Sequence, residues 1–404
     1  MAGPRAVALV LLVTLGTVGG IAIGATQQGP AMTVQPVEND SNYLGPDAAD
    51  VDRSGQASAS LDVAATVGGN AGSVRSTFSR VSVRKKYEAA ATPSERRRIV
   101  GTGVDRLARR VAALERREVR AIDRYAAGER GETDLLRTLA SVDAEAAARA
   151  ETARWLESRA VDLDMATESR RLATLRIRLL ALRGPVRTDV AAGLDGSKPT
   201  RVHVETAGGG LVLATVERNA AGGYVYAREA YSPAIRNRRD GDRYEDFGEV
   251  FNRLAERYPW VNARSPRVDD SLRIGRSGEG GPLYSMEFNY DRGWLTPYLD
   301  GGTGRVVKED QRRELTDRPA DRREATNEDG TLAVTVRTTY ASGPLAVNAT
   351  DPATGRPVNA TVLVDGDRVG PTRRGTRWTV EPRGAVNVTV VRGDATVTTT
   401  VRAP

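Results

Sequence analysis

Side chains that commonly carry out catalysis are scarce in this chain. It has no cysteine and a single histidine, His203, so a thiolate nucleophile, a disulfide, cysteine-ligated zinc and the usual histidine dyads have no residues to build them. His203 stands between Val202 and Val204. If those valines face a core, strand alternation turns the imidazole to the opposite side, where it reads as an exposed strand residue. Asp269 with Asp270, and Glu245 with Asp246, are of the type needed for general acid and base, but nothing around them in the sequence builds a pocket. Asp365-Gly366-Asp367 has part of a calcium-loop ligand set and lacks the rest, and it suits a hairpin turn. The expectation is a non-enzymatic protein with no catalytic or cofactor-binding residue, no metal site and no cofactor.

A different chemistry is available to asparagine. Asn39-Asp40-Ser41, Asn348-Ala349-Thr350, Asn359-Ala360-Thr361 and Asn387-Val388-Thr389 fit the acceptor pattern for N-glycosylation. In the last three, apolar residues flank the asparagine. Alternation therefore places Asn348, Asn359 and Asn387 on the outer face of their strands, as Thr and Asn on a solvated surface would also be.

Such acceptors matter only outside the cytoplasm, and the N-terminus points there. Residues 6–25 carry no charge and follow Arg5. The stretch lies at the border between a cleavable signal peptide and a membrane anchor, so 1–25 is read as one or the other. Residues 26–59, rich in Gly, Ser, Asp and Gln, read as a flexible linker with one short strand near Tyr43-Leu44.

Residues 60–184 read as a coiled-coil-like helical domain. Val67, Ala71, Val74, Phe78 and Val81 recur at heptad spacing, as do Val100, Val104, Leu107, Val111 and Leu114. Thr92-Pro93-Ser94-Glu95 marks the start of a new helix, with a capping hydroxyl, a proline at the first turn and a carboxylate at the third position. Gly128 and Gly131 break that helix. A further seam follows through Leu135, Leu139, Val142, Ala146, Ala153, Leu156, Ala160 and Leu163, and Leu172, Leu175, Leu179 and Leu182 continue it until Gly184-Pro185. Short turns between long amphipathic helices predict an antiparallel hairpin or three-helix bundle about 50 Å long.

From Thr200 the apolar period becomes two. Strands are expected over 200–205, 211–217 and 224–231, then one helix through Tyr244, Phe247, Phe251, Leu254 and Tyr258, then strands over 272–274, 284–290 and 295–307. This central sheet-plus-helix module spans 198–308. Its closing Asp300-Gly301-Gly302-Thr303-Gly304 resembles the last strand of PepSY-type modules, a resemblance that implies an extracytoplasmic location and regulation of peptidases. The Ser41–Leu44 segment, the basic-acidic helices and Tyr258-Pro259-Trp260 together resemble haloarchaeal exported proteins of unknown function. A charged linker is expected over 309–330. Residues 331–404, with Asp351-Pro352-Ala353-Thr354-Gly355 leading into another alternating run, resemble a carboxypeptidase-regulatory-like or immunoglobulin-like β-sandwich. The fold class expected is therefore multidomain α+β: N-terminal helical bundle, central sheet and helix, C-terminal sandwich.

The net charge is +7, with Lys only at 85, 86, 198 and 308. Between 71 and 184, 25 Arg and Lys face 16 Asp and Glu, so the helical region supplies the basic surplus. The acids interrupt the arginines, as in Glu115-Arg116-Arg117-Glu118, which suits a solvated, ion-paired helix surface. Aromatic residues do not interleave with the charges, so nucleic acid is not an expected partner. Partner binding by an exported surface protein, to an unknown protein or a surface polymer, is the leading expectation, with the membrane engaged through residues 1–25. The alternatives are a regulator of an extracytoplasmic peptidase and a binder of anionic surface polymers.

Overall fold

The computed structural model describes residues 31–37, 42–63, 77–78, 80–235, 241–259, 267–268, 273–277, 280–290, 292–315, 323–328 and 330–402. The leader, Asn39, and Asp269 with Asp270 lie outside these residues. The architecture is multidomain α+β, as the periodicities predict.

Among the described residues five α-helices lie between residues 80 and 194: α1 (80–89), α2 (Pro93–Ala126), α3 (Glu132–Asp162), α4 (Ala166–Ala181) and α5 (Pro185–Leu194). The start of α2 is set by the predicted capping box, with Thr92 Oγ1 accepting from Glu95 N at 3.2 Å and the Glu95 carboxylate accepting from the Thr92 amide. Val100, Val104, Leu107, Val111 and Leu114 are all buried against the α3 and α4 seams. Ion pairs lace the bundle from helix to helix, including a two-pronged Arg178–Glu115 contact, Arg117–Glu145 and Arg176–Glu157. The first seam is displaced from its expected phase. Phe78 and Val81 are exposed, and Val83 is the α1 residue that enters the core, followed by Tyr87 packed edge-on to Trp155. Val67, Ala71 and Val74 lie outside the described residues.

The ten-stranded central sheet is antiparallel throughout. Its strands are β3 (Arg53–Ala59), β4 (Thr200–Ala207), β5 (Gly210–Arg218), β6 (Tyr224–Tyr231), β7 (Arg267–Val268), β8 (Arg273–Ser277), β9 (Gly280–Ser285), β10 (Phe288–Tyr290), β11 (Gly293–Asp300) and β12 (Arg305–Leu315). The order is β3-β4-β5-β6-β12-β11-β10-β7, with β9 also pairing with β11 and β8 with β9. The described part of the stretch read as a linker over 26–59 is folded into the body: β3 forms one edge of this sheet, and β1 (Met32–Gln35) pairs with β2 (Tyr43–Pro46). The expected charged linker is also partly strand, because β12 runs through Glu309 to Leu315 and β13 (Arg323–Glu328) opens the next sheet.

On one face of the central sheet α5 and the ends of α2 and α3 bury Val202, Val204, Leu211, Leu213 and Ala227. On the other face Met32 and Leu44 of the β1–β2 hairpin pack with Val250, Leu254 and Tyr258 of α6 (Phe247–Arg257) and its end, over Val212, Ala230 and Leu299.

The C-terminal domain is a sandwich of two four-stranded antiparallel sheets. One has the order β13-β14-β15-β18, with β14 (Ala333–Thr338), β15 (Pro344–Thr350) and β18 (Thr376–Val380). The other runs β17-β16-β19-β20, with β16 (Thr361–Val364), β17 (Asp367–Pro371), β19 (Ala385–Arg392) and β20 (Ala395–Arg402). Alternating valines from both sheets fill the core, among them Val334, Val347, Val362, Val388 and Val401. The sandwich rests on the central sheet through Val380 against Ala214 and Tyr226.

Candidate functional site

Charged side chains collect on both faces of the β6–β12 pair, because alternation along the two strands sorts them. Glu229, Lys308 and Asp310 face the helices. Arg187 on α5 is fully enclosed there, 2.5 Å from Glu118 of α2 and 3.2 Å from Glu229. The Glu229 carboxylate also accepts from the Arg187 backbone N–H at 3.0 Å, which caps the start of α5 where Gly184 offers no side chain. A Cβ at residue 184 would fall 1.6 Å from Glu229 Oε2, so glycine is required for that cap. Lys308 pairs with Asp310, whose carboxyl burial pushes up to about 6 against the pull of Lys308. Burial likewise raises Glu118 and Asp143.

On the opposite face Glu309 joins three parts of the chain. It accepts from Leu44 N at 2.8 Å, from the Tyr258 hydroxyl at 2.7 Å and from Arg228 at 3.3 Å. Arg228 in turn donates to the Leu44 carbonyl at 2.6 Å and to Ser342 of the sandwich at 3.3 Å. Tyr43 lies under the Arg228 guanidinium and stacks on Tyr340, with ring centroids 4.2 Å apart.

His203 does face away from Val202 and Val204, but the sandwich covers that side and leaves the imidazole 1% exposed. Its Nε2 lies 3.1 Å from Glu205 Oε1, and Arg383 of the sandwich reaches the same carboxylate with two contacts of 3.2 and 3.0 Å. Burial pushes the Glu205 carboxyl up, yet His203 and Arg383 outweigh it and hold the group down at about 2. The imidazole therefore belongs to an inter-domain contact, where the sequence alone placed it in solvent.

The remaining sequence candidates serve local structure. Asp246 caps α6 by accepting from Glu249 N, and the Glu249 carboxylate accepts from Glu245 N. Asp365 and Gly366 both take positive φ at the β16–β17 hairpin, while Asp367 pairs with Arg201. At the turn between β11 and β12, Asp300 Oδ1 accepts from the Thr303 amide and hydroxyl at 2.8 and 2.9 Å, and Gly304 takes φ +66°. That geometry by itself accounts for the Asp-Gly-Gly-Thr-Gly string. Asn359 and Asn387 are exposed, whereas Asn348 is half-buried and accepts from Thr376 Oγ1. Asn387 accepts from Thr400 Oγ1 at 2.7 Å.

One concave region of about 340 Å³ lies where the central sheet meets the sandwich. Lys198, Thr200, Arg201, Arg218 and Tyr224 line it from the sheet, and Arg368 and Arg377 from β17 and β18. Lys198 pairs with Glu217, which also accepts from the Thr200 hydroxyl. Arg201 bridges the two walls, pairing with Asp367 at 3.2 Å and donating to the Arg368 carbonyl at 3.2 Å. A volume of this size falls at the lower end of small-ligand pockets, which span about 300–1,000 Å³. Sequence reading missed it, because its residues come from two domains and only their basic character shows in the string.

Residues 1–199 match the model of a domain of unknown function (DUF7096), and residues 202–319 that of a family of unknown function (DUF7094). Residues 323–399 match an archaeal fibronectin-III type-like domain. The chain matches no curated protein and no solved structure. The boundaries between these matches do not separate independent bodies: β3, inside the first matched region, hydrogen-bonds along its length to β4 of the second. What the fold and the matches define is a multidomain α+β protein with a C-terminal fibronectin-III-like sandwich. Among the described residues no helix is long and apolar enough to cross a membrane.

Proposed function

We propose that this chain is a non-enzymatic surface protein whose central sheet and sandwich form one binding head, presented by the helical bundle and attached or exported through residues 1–25. The cleft between sheet and sandwich is its partner-binding site. The observation that carries this reading is the docking of a fibronectin-III-like domain onto the sheet through buried ionic contacts, which leaves a pre-shaped concavity with both walls held in place. The helices, spanning about 51 Å along α2 at 1.5 Å per residue, suit a spacer.

Protease treatment of intact source cells, combined with N-terminal sequencing of the native protein, tests the placement. Digestion from outside is expected, together with residues 1–25 either removed or retained in the membrane fraction. Purified protein should also bind cell envelopes. Recovery of the whole chain from the soluble interior, with Met1 in place, would overturn the reading. A second reading, regulation of an extracytoplasmic peptidase through the central module, rests on the sequence resemblance of residues 300–304 to PepSY-type modules and predicts inhibition of a co-purifying protease.

A further inference from the structure

We infer that the cleft between the central sheet and the sandwich binds a sulfate or phosphate ester group, held by Arg218, Arg368 and Arg377. This deepens the binding-module reading and rests on it.

The inference follows from which cations in the cleft are already neutralised. Lys198 has Glu217 as partner, and Arg201 has Asp367. The other three guanidinium groups have no carboxylate partner among the described residues. Arg218 donates to the Gly222 carbonyl at 2.8 and 3.3 Å and lies 5.7 Å from the centre of the Tyr224 ring. Arg377 gives one N–H to the Val369 carbonyl at 2.9 Å, and its Nε is buried with no acceptor. Arg368 is exposed, and its side chain has no polar partner among the described residues.

Three like charges around one concavity repel each other unless an anion enters. Arg368 offers an oxyanion a full two-pronged fork, and Arg218 and Arg377 add the N–H groups not given to Gly222 and Val369, so the three together call for an acceptor with more oxygens than one carboxylate offers. A tetrahedral oxyanion with two or three free oxygens meets that demand. The cleft volume of about 340 Å³ leaves room for the ester group and roughly one ring-sized carrier. The basic surplus of the bundle is a different case, because its arginines are interleaved with acids and paired across helices.

The test is calorimetric titration of the full chain with a sulfated dextran oligomer, a short polyphosphate chain and neutral dextran. One of the two anions should bind at a single site, the tighter one identifying the source of the ester, and neutral dextran should not. Raising salt from about 50 to 200 mM should weaken binding roughly twentyfold to fortyfold for three contacts. Arg368→Gln/Arg377→Gln should lose about a hundredfold in affinity, each good charge-assisted contact contributing about tenfold. Because Arg377 also packs at the domain contact, the exposed Arg368→Glu is the second variant, and it should weaken binding in the same direction with an unchanged melting curve. Arg109→Gln/Arg110→Gln on the exposed bundle surface should leave affinity unchanged. The inference is overturned if neither anion binds, if the cleft variants bind like the parent, or if the bundle variant loses as much as they do. Retention of envelope binding by the cleft variants would remove this ligand while leaving the binding-module reading intact. Loss of envelope binding by the parent protein itself would remove that reading.

Discussion

Replacing Arg187 by methionine asks whether the buried charges between bundle and sheet hold the two layers together. The guanidinium is completely enclosed, 2.5 Å from Glu118, 3.2 Å from Glu229 and 2.9 Å from the Leu182 carbonyl. Burial alone would lower its pKa, but the two carboxylates raise it above the ordinary arginine value, so the site holds a cation. Methionine fills much of the same space and leaves Glu118 and Glu229 short of one counter-charge. Removing one partner of a buried pair costs about 3–5 kcal/mol. Lys308 remains 3.9 Å from Glu229, which brings the expected loss to the lower end, about 3 kcal/mol. Urea unfolding followed by helical circular dichroism measures it, and Glu118→Gln/Arg187→Met serves as the compensated variant. The double variant should regain half or more of the loss, since a neutral pair no longer strands a charge in the interior. A single-variant loss below about 1 kcal/mol, or a double variant no better than the single one, would refute the claim that these charges are dry and mutually dependent.

The Glu205 carboxyl sits at about 2 in the folded protein against 4.5 for the free group, so its stabilisation is complete above about pH 4.5 and disappears as pH falls towards 2. Arg383→Gln should raise that folded pKa, move the acid loss of stability nearer pH 4 and cost about 2–3 kcal/mol at neutral pH; urea midpoints unchanged between parent and variant from pH 2 to 7 would contradict it. Gly184→Ala should destabilise the junction of α4, α5 and β6 by about 1–3 kcal/mol, because the added methyl displaces the Glu229 cap, and a melting temperature equal to the parent's would count against that geometry. Intact-mass and peptide analysis of the native protein should find Asn359 modified ahead of Asn348, whose carboxamide is engaged by Thr376; modification of Asn348 with Asn359 bare would reverse the ordering.

The helices were legible because each signal there is local. The Thr92 cap, the breaks at Gly128 and Gly131 and the α2 seam from Val100 to Leu114 depend on residues within a few turns of one another. The meander strands β4 to β6 were legible for the same reason, with clear alternation and glycine turns between them. Phe78 and Val81 misled because heptad spacing also occurs where no partner helix arrives. The larger misses share one cause. Lys308-Glu309-Asp310-Gln311 reads as solvated by composition, yet Lys308, Glu309 and Gln311 are fully buried. Such a string can enter a core only where opposite charges from distant segments meet it, and Arg187 and Arg228 lie far away in sequence. The available signal was weak: Val306 and Val307 lead directly into the string, and its residues alternate across two faces. Strand β2 falls where the short strand near Tyr43-Leu44 was expected, whereas helix α5 and strands β1 and β3 were missed because they are short and take their stability from what they pack on. His203 shows the limit of alternation, which gives the face of a strand but not what covers that face.

The same reasoning bears on the candidate site. Exposed pairs such as Arg201 with Asp367, whose carboxylate is 74% exposed, contribute little to holding two domains together. The contacts that fix the sandwich on the sheet are the enclosed ones: Arg383 on Glu205, the Tyr226 hydroxyl donating to the Ser342 carbonyl at 2.8 Å, and Arg228 on Ser342. None of them lies in the cleft, so the cleft walls are positioned by groups that do not have to contact a ligand. Arg368, exposed on the cleft wall, is therefore free to differ without loss of the fold, and binding there does not have to supply the cost of bringing two domains together. An inter-domain cleft of this kind separates the determinants of architecture from those of recognition. That separation is why substitutions at Arg368 can test ligand chemistry without first disturbing the molecule.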